Sequence, residues 1–508
     1  MKRLLAFLPF LGLALFGMPA SAPVAIGQTP SQGGVLSEDV EYVGFVPTEQ
    51  SSSTGVTIDH KRKIMYLTSW KNISTYDITD PLNPSLLGTL PVGFMFENED
   101  VAVDPQGKFM LFSESLPNDI LHVYDVEDPT TITEVAQVAG AGDHTTSCIL
   151  ECDYAYGSDG SVTDLRDYTA PKVIALDTDE NNWHAKIDLQ GGAHDVTEIQ
   201  SGFVINSPID GPPQYLDVRD PANPKIAATG NDNLPRSERG YLWHSGEWPR
   251  EGQDRWLLMQ GEDNANPQCQ DQTGPFATFD TTGWQKTHTF KKTADFRVTN
   301  GVYVDGNPAA NGLGCSAHWF QEHETFNNGG LVTIAFYEHG TRFVQVTGEG
   351  KIKEVGYFLP YSGSTSAAYW VNEEIVYAVD YARGIDILRW TGKTFVPTAS
   401  GGGGGSQTLP GPGVKMRLTD KEPPRGSTVR FRVTLRRCKG NKGTTVRLQR
   451  KIKGDFKTFE SGPLGSNCIA RFADVANYKS ETYRAIWPKQ NDNFRAGKSR
   501  PQTVKTDG

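Results

Sequence analysis

Short stretches of alternating apolar and polar residues, separated by turns rich in Gly, Pro and Asp, run through most of the chain. Residues 191–230 hold one complete example, with four such stretches in a row: AHDVTEIQ, GFVINSP, QYLDVRD and KIAATG. This pattern predicts a meander of four antiparallel strands. A single sheet of this kind cannot bury both of its faces, so we expect further copies that pack on one another around an axis.

Similar units recur along the chain. Their first strands begin with SSTGVTID, ENEDVAVD, GDHTTSCI, GAHDVTEI, LWHSGEWP, SAHWFQEH and SAAYWVNE. The spacing between them is about 45–50 residues, which is typical of propeller blades, apart from one longer interval before SAHWFQEH. Together with 53 Gly and 31 Pro, the repeats predict an all-β fold, namely a seven-bladed β-propeller over residues 36–396.

Three of the third strands end in an Asp-x-x-Asp-Pro turn, within TYDITDP, VYDVEDP and YLDVRDP. We predict that Asp80, Asp128 and Asp220 accept hydrogen bonds from turn N–H groups, and that the following Pro fixes the reversal into the fourth strand. This pattern resembles the LVIVD-repeat family of secreted bacterial β-propellers. The resemblance implies a propeller fold and no single activity.

The chain begins with a basic pair, Lys2 and Arg3, followed by an apolar centre and the small residues of PASA. This order is typical of a secretion signal, which we place at residues 1–25. A membrane anchor is the alternative, but the unbroken apolar run is shorter than a spanning helix needs. We therefore expect a secreted, extracellular protein without a transmembrane span.

The six cysteines of an exported chain predict three disulfides. The spacing suggests the pairs Cys148–Cys152, Cys269–Cys315 and Cys438–Cys468. Two cysteines four positions apart on a straight strand would lie about 13 Å from each other, too far to bond. The first pair therefore predicts a tight reversal between Cys148 and Cys152. A zinc site is the alternative, although the chain has no CxxC pair.

The composition changes after a Gly/Pro-rich linker at residues 397–413. Residues 414–508 carry 23 Lys and Arg against 8 Asp and Glu, a net charge of +15, whereas the rest carries 26 against 52, a net charge of −26. Alternating stretches in this segment predict a small Ig-like β-sandwich. Its charge favours an anionic cell-wall polymer or lipid headgroups as partners, and export argues against nucleic acid. Charge complementarity or solubility is the alternative.

One column of the repeats carries the candidate chemistry. Aligning the seven first strands places these side chains at one position: Thr54, Glu99, His144, His194, His244, His318 and Tyr369. First strands line the channel of a propeller, so we expect this column to form a ring at one end of it. Converging imidazoles bind transition metals, and the four histidines predict a site for Fe, Cu or Zn. A polar, water-lined channel mouth is the alternative.

Neighbouring residues could complete such a site. We expect carboxylates to orient the imidazole rings, as they do around many metals; the candidates are Glu99, Asp195, Glu198 and Glu247. Aromatic side chains could wall a pocket for a ligand at the channel mouth; the candidates are Trp243, Trp319 and Tyr369. Packing of the tryptophans between blades is the alternative.

These features leave two functions open. The first is an exported β-propeller that acts as a binding or scaffold protein, with the basic module attaching it to a surface or polyanion. The second is a metalloenzyme of the oxidase or oxygenase type with the four-histidine site at the channel mouth. The arrangement is similar to the four-His iron site of carotenoid-cleaving oxygenases, whose local motifs are absent here. No catalytic residue can be assigned, since the chain lacks GxSxG, HExxH and nucleotide-binding motifs.

Overall fold

The protein is described by a computed structural model in which nearly all regular structure is β-strand. The described residues are 33–48, 55–93, 100–114, 119–177, 179–180, 182–189, 192–252, 254–262, 273–298, 314–381, 383–393, 414–418, 421–425, 427–435, 444–452, 455–465, 468–475, 480–487 and 497–506. The chain divides into two compact units, residues 1–400 and 401–508. Within the described ranges, no helix has the length and apolar character needed to cross a membrane.

The described residues of the first unit form short strands and four one-turn helices. Its first fourteen strands are β1 (Gly34–Leu36), β2 (Val40–Pro47), β3 (Val56–Asp59), β4 (Ile64–Thr68), β5 (Asn72–Asp77), β6 (Ser85–Pro91), β7 (Ala102–Val103), β8 (Phe109–Glu114), β9 (Ile120–Asp125), β10 (Thr133–Ala139), β11 (Thr146–Ile149), β12 (Tyr154–Gly157), β13 (Val162–Asp164) and β14 (Lys172–Ala175). The next fifteen are β15 (Ala193–Gln200), β16 (Phe203–Pro208), β17 (Gln214–Asp217), β18 (Lys225–Gly230), β19 (Leu242–Glu247), β20 (Trp256–Glu262), β21 (Phe276–Asp280), β22 (Thr289–Phe296), β23 (Phe320–Glu322), β24 (Gly330–Ala335), β25 (Thr341–Val346), β26 (Ile352–Pro360), β27 (Thr365–Trp370), β28 (Ile375–Asp380) and β29 (Gly384–Trp390). The helices are α1 (Trp183–Lys186), α2 (Arg236–Arg239), α3 (Pro249–Gly252) and α4 (Trp284–Thr287).

Consecutive strands pair in order to form antiparallel meanders. Six of these groups are β3–β6, β7–β10, β11–β14, β15–β18, β19–β22 and β23–β26. The four strands predicted within residues 191–230 are β15–β18. First strands of successive groups contact one another, for example β11 with β15 and β15 with β19, so they lie innermost around a common axis.

The N-terminal strand closes the ring. Strands β27–β29 form only three strands of a meander, and β2 supplies the fourth by pairing with β29, with Val40 opposite Trp390 and Pro47 opposite Gly384. The Tyr42 hydroxyl adds a hydrogen bond of 3.2 Å to the carboxylate of Asp386. The first and last parts of the propeller are therefore joined by a sheet, a closure that the repeat pattern did not predict.

Buried apolar clusters lie between neighbouring meanders. Tyr66 of one group packs with Met110 of the next, and the cluster that contains Tyr377 and Met65 joins the last group to the first. Each sheet packs on two neighbours, which explains why strands such as β8 and β28 are buried on both faces. Full burial of a large apolar side chain contributes about 1.5–3 kcal/mol, so these clusters hold the ring together. The predicted all-β β-propeller is confirmed.

The Cys148–Cys152 disulfide is confirmed, with the Cα atoms 4.5 Å apart. The chain reverses between β11 and β12 through three consecutive residues of positive φ, Leu150, Glu151 and Cys152. This is the tight reversal that the spacing required. Cys315 and Cys468 are also disulfide-bonded. Their predicted partners, Cys269 and Cys438, lie outside the described residues.

Two of the three aspartates before proline accept the predicted hydrogen bonds from turn N–H groups, and the third accepts one from a side chain. The Asp80 carboxylate accepts a hydrogen bond from the N–H of Leu82 at 3.1 Å, and that of Asp128 accepts one from Thr130 at 3.0 Å. Asp220 bonds the side-chain amide of Asn223 at 3.1 Å. These carboxylates stabilise the turn after the third strand and are not part of a site.

The second unit is a small β-sandwich. Its strands are β30 (Val414–Leu418), β31 (Thr428–Leu435), β32 (Thr445–Ile452), β33 (Asp455–Pro463), β34 (Ile469–Val475), β35 (Ser480–Trp487), β36 (Gly497–Lys498) and β37 (Gln502–Lys505). One sheet has the order β30-β31-β34, and the other has the order β33-β32-β35-β36, with β37 paired to β35. Alternate residues such as Phe431 and Trp487 face a shared apolar core, while the residues between them face outward.

Candidate metal centre at the channel mouth

Four histidines from neighbouring meanders lie in a row beside the axis. The ring centroids are 4.3 Å apart for His144 and His194, 3.9 Å for His194 and His244, and 4.3 Å for His244 and His318. His194, His244 and His318 are 6%, 0% and 1% exposed, and His144 is half-buried. The structure therefore brings together the four imidazoles that the sequence places in one column.

β-Bulges turn these side chains toward one another. The pairing of β15 with β16 skips His194, and the pairing of β19 with β20 skips His244. His318 lies at a similar irregularity, because the backbone of Ala335 bonds both the N–H of His318 and the carbonyl of Trp319. A bulge re-aims the side chain of its extra residue relative to the alternation of the strand. Repeating the bulge in successive meanders directs the imidazoles to one side.

A tight turn brings His144 to the end of this row. Gly142, two residues earlier, has a φ of +111°, and a Cβ at this position would lie 2.5 Å from the Cβ of Ser113 in β8. Only glycine combines this backbone conformation with so close an approach. The chain can therefore enter β11 close against the preceding meander.

Hydrogen bonds to backbone carbonyls fix two of the imidazoles. Nδ1 of His194 lies 3.2 Å from the carbonyl of His244, and Nδ1 of His318 bonds the carbonyl of Ser366. A carbonyl can only accept, so Nδ1 carries the proton in both rings and Nε2 carries the lone pair of the neutral form. Metal-binding histidines usually donate their second N–H to such an acceptor. The partners are carbonyls of the next meander, where the sequence predicted carboxylates.

Glu262, at the end of β20, faces the row. Its carboxylate Oε2 lies 3.9 Å from Nε2 of His194 and 3.9 Å from Nε2 of His244. The hydroxyl of Tyr337 donates a hydrogen bond to the other oxygen, Oε1. Sequence reasoning missed this residue because it searched first strands only. In an antiparallel meander, the second strand ends at the same edge of the sheet where the first strand begins. An acidic residue at the end of a second strand was therefore the sequence signal that could have identified Glu262.

The distances suit a metal ion. Zn–N and Zn–O bonds are about 2.0–2.2 Å long, so two ligand atoms of a tetrahedral ion lie about 3.4 Å apart. Both contacts of Glu262 with imidazole nitrogens, at 3.9 Å, are somewhat longer than this separation. The ligand atoms of His194, His244 and Glu262 all lie within 4.8 Å of one another. A small shift of side chains would bring the three onto one ion.

Aromatic side chains border the site on one side. The ring of Trp319 lies 4.7 Å from that of His244, and the ring of Tyr337 lies 4.7 Å from that of His318. Trp319 is half-buried beside His244 and also packs against an apolar cluster. Trp243 is fully buried between two meanders, where it contacts Tyr241. The alternative reading of Trp243, packing between blades, is the correct one.

Tyr369 was aligned to the wrong position. The bulge of β27 falls at Ser366, and the carbonyl of Ser366 accepts from His318 as that of His244 accepts from His194. Ser366, three residues earlier, is therefore the structural equivalent of the histidines. Tyr369 lies farther along the strand, half-buried against an apolar cluster. The sequence could not show the extra residue that a bulge inserts.

Glu198 was expected to orient an imidazole, and it has a different role. Its carboxylate accepts from the N–H groups of Leu150, Glu151 and Gly202 at 2.7, 3.0 and 2.8 Å. Glu198 is four residues beyond His194 on an extended strand, which corresponds to about 13 Å. It ties the disulfide turn to β15 at the opposite end of the strand.

Two other predicted carboxylates do not bond an imidazole. Asp195 accepts from the hydroxyls of Ser147 and Thr197 at 3.1 and 2.9 Å, and burial raises its pKa. Burial, together with the carboxylates of Glu322 and Asp195, raises the pKa of Glu247 well above its usual range. Burial also raises the pKa of Glu322 to about 7. These acids interact with one another, and Asp195 also interacts electrostatically with His244. Glu99, the fourth candidate, lies outside the described residues.

Comparisons with known proteins give a fold-level likeness. No protein-family model matches the chain, and no curated protein matches it. Among solved structures, the chain is similar to the WD40 β-propeller domain of Doa1, with 9% sequence identity and a TM-score of 0.41. The match covers 69% of this chain and 96% of that domain.

The Glu198 contacts give a direct prediction. In Glu198→Ala, three backbone donors lose their acceptor, and we expect the free energy of unfolding to fall by about 1–3 kcal/mol. Denaturant unfolding of the full chain measures this free energy. Glu127→Ala, an exposed glutamate in a turn, is the matched control. Equal unfolding free energies for the two variants would contradict the assigned role.

Proposed function

We propose that this protein is a β-propeller that binds a first-row transition-metal ion at the mouth of its channel. His194 and His244 supply imidazole ligands and Glu262 supplies a carboxylate. His144 and His318 lie beside them at the two ends of the row. The observation that carries the proposal is the row of imidazoles at 3.9–4.3 Å, with Nδ1 of His194 and His318 held by carbonyls of the next meander. Nitrogen ligands with one carboxylate suit Zn, Cu or Fe, whereas Mg and Ca prefer oxygen alone.

We further infer the wider organisation of the protein. The groups β3–β6 through β27–β29 with β2 support a count of seven blades, and the Asp-x-x-Asp-Pro turns support the likeness to LVIVD-repeat propellers. The two facing sheets of the second unit support an Ig-like module.

Export of the chain rests on residues 1–25. We expect the mature protein to be found outside the cytoplasm. We also expect it to lack residues 1–25, because a signal peptidase removes such a segment during export. Expression of the full-length gene in its native host, followed by N-terminal sequencing of the extracellular protein, tests this. A protein retained in the cytoplasm with Met1 and Lys2 intact would contradict export.

The metal proposal predicts a selective loss in histidine variants. Tag-free protein should bind about one metal ion per chain. His194→Ala or His244→Ala should weaken binding by about 100-fold or more, since loss of a supporting partner alone already costs about 10–100-fold. Elemental analysis and calorimetric titration with Zn²⁺ measure this. His60→Ala, which removes an exposed histidine from the β3–β4 turn, is the control. Equal metal content and affinity in all three variants would refute the site.

A second candidate is a metalloenzyme of the oxidase or oxygenase type, favoured by Tyr337. Its hydroxyl donates to Glu262, and its ring lies 4.7 Å from that of His318 and 6.3 Å from that of Tyr381. A phenol in this place can deliver or take up a proton beside a metal ligand. The binding function requires no such group.

The two functions separate in one assay. If the protein is an enzyme, iron- or copper-loaded protein should consume dioxygen in the presence of ascorbate, and Tyr337→Phe should slow uptake by about 10²-fold or more with metal content unchanged. An oxygen electrode measures the uptake, and Tyr361→Phe, an exposed tyrosine, is the control. If the loaded protein consumes dioxygen no faster than the free metal ion does, the enzyme hypothesis is contradicted and the metal-binding function remains.

A further inference from the structure

Three arginines form a row across one sheet of the second unit. Arg417 of β30 lies opposite Arg432 of β31, and Arg432 lies opposite Arg471 of β34. All three side chains are exposed, on the face of the sheet that points away from the core. Lys415 and Arg430 lie on the same face and are also exposed. One face of a three-stranded sheet therefore carries five cations.

This row is unfavourable by itself. Directly opposed side chains have Cβ atoms about 4.5–5.5 Å apart, and like charges at this distance repel. Arg450 of this unit forms ion pairs with Asp474 and Glu481. No carboxylate in the described part of the unit is within ion-pairing distance of Arg417, Arg432 or Arg471. An external anion would relieve the repulsion.

The arginine row borders a recess in the surface. It lines a cavity of about 670 Å³ together with Leu418, Glu460, Phe431 and Phe472. Glu460 is half-buried and is the acidic member of the lining, and burial raises its pKa. A recess of this volume can hold part of a flexible polymer chain, whereas the flat surface of a bilayer cannot follow a concave surface. A polymer therefore fits this cavity better than a membrane surface does.

The chemistry of the row favours phosphate. A guanidinium presents a planar fork that binds two oxygens of one phosphate. Adjacent strands are about 4.8 Å apart, so the row offers three forks over about 10 Å. Recognition of single-stranded nucleic acid would add aromatic side chains for base stacking. The aromatic residues of these strands, Phe431 and Phe472, border the cavity, but they are 1% and 4% exposed in the core and present no ring face for stacking.

We propose that Arg417, Arg432 and Arg471 bind a linear phosphodiester polymer that runs across β30, β31 and β34. The net charge of +15 on residues 414–508 attracts such a polymer over a longer range. This site is independent of the metal centre, since it lies in the other unit.

Matched variants of the full-length protein test the row. We expect wild-type protein to bind poly(glycerol phosphate) in calorimetric titration. Its affinity should fall when the salt concentration is raised from about 50 to about 300 mM, because salt near 0.1 M already screens charges strongly. The triple variant Arg417→Gln, Arg432→Gln, Arg471→Gln should lose affinity by about 10-fold or more. The control variant removes three exposed cations from the other sheet: Arg447→Gln, Lys451→Gln and Lys457→Gln. Its affinity for the polymer should fall far less than that of the first triple variant.

Chemical modification of the unaltered protein avoids any folding defect of the variants. The polymer should protect the three row arginines from phenylglyoxal and leave Arg447 reactive. Equal affinity losses in both triple variants, or no protection, would overturn the proposal. So would tighter binding to phosphatidylglycerol vesicles or to oligo(dT) than to the polymer, since these results would assign the surface to a membrane or to nucleic acid.

Discussion

The candidate site depends on hydrogen bonds that cross from one meander to the next. The imidazole of His194 donates to the carbonyl of His244, and that of His318 donates to the carbonyl of Ser366. Both acceptors are bulge residues, whose backbone lies outside the regular ladder of its own sheet. The bulge at His244, for example, directs its imidazole inward, and its carbonyl accepts the hydrogen bond that orients His194 of the preceding meander.

This arrangement ties the site to the integrity of the ring. The relative positions of His194, His244 and His318 depend on how tightly three meanders pack, and that packing depends on the buried clusters and on the closure by β2. A metal ion held by several meanders would in turn stabilise the ring, because binding to the folded state alone raises its stability. The pairing of Glu262 with Tyr337 also depends on the packing of meanders, because Glu262 ends β20 and Tyr337 follows β24 of the next meander.

Much of this could be predicted from the sequence, because repeats and turn residues are local signals. The strands of residues 191–230, the turn role of Asp80 and the reversal at Cys148–Cys152 all follow from short-range rules. The convergence of the histidines follows from the repeat alone. The rest depended on contacts distant in sequence: the pairing of β2 with β29, the approach of Glu262, and the shift that makes Ser366, not Tyr369, equivalent to the histidines. Such register shifts leave no trace in composition or spacing.

X-ray absorption spectroscopy of the metal-loaded protein tests the central claim most directly. The account predicts a first shell of nitrogen and oxygen atoms at about 2.0–2.2 Å, with the outer-shell scattering of the imidazoles of His194 and His244 and the carboxylate of Glu262. A spectrum with water oxygens alone, or with sulfur in the first shell, would place the metal elsewhere and contradict the account.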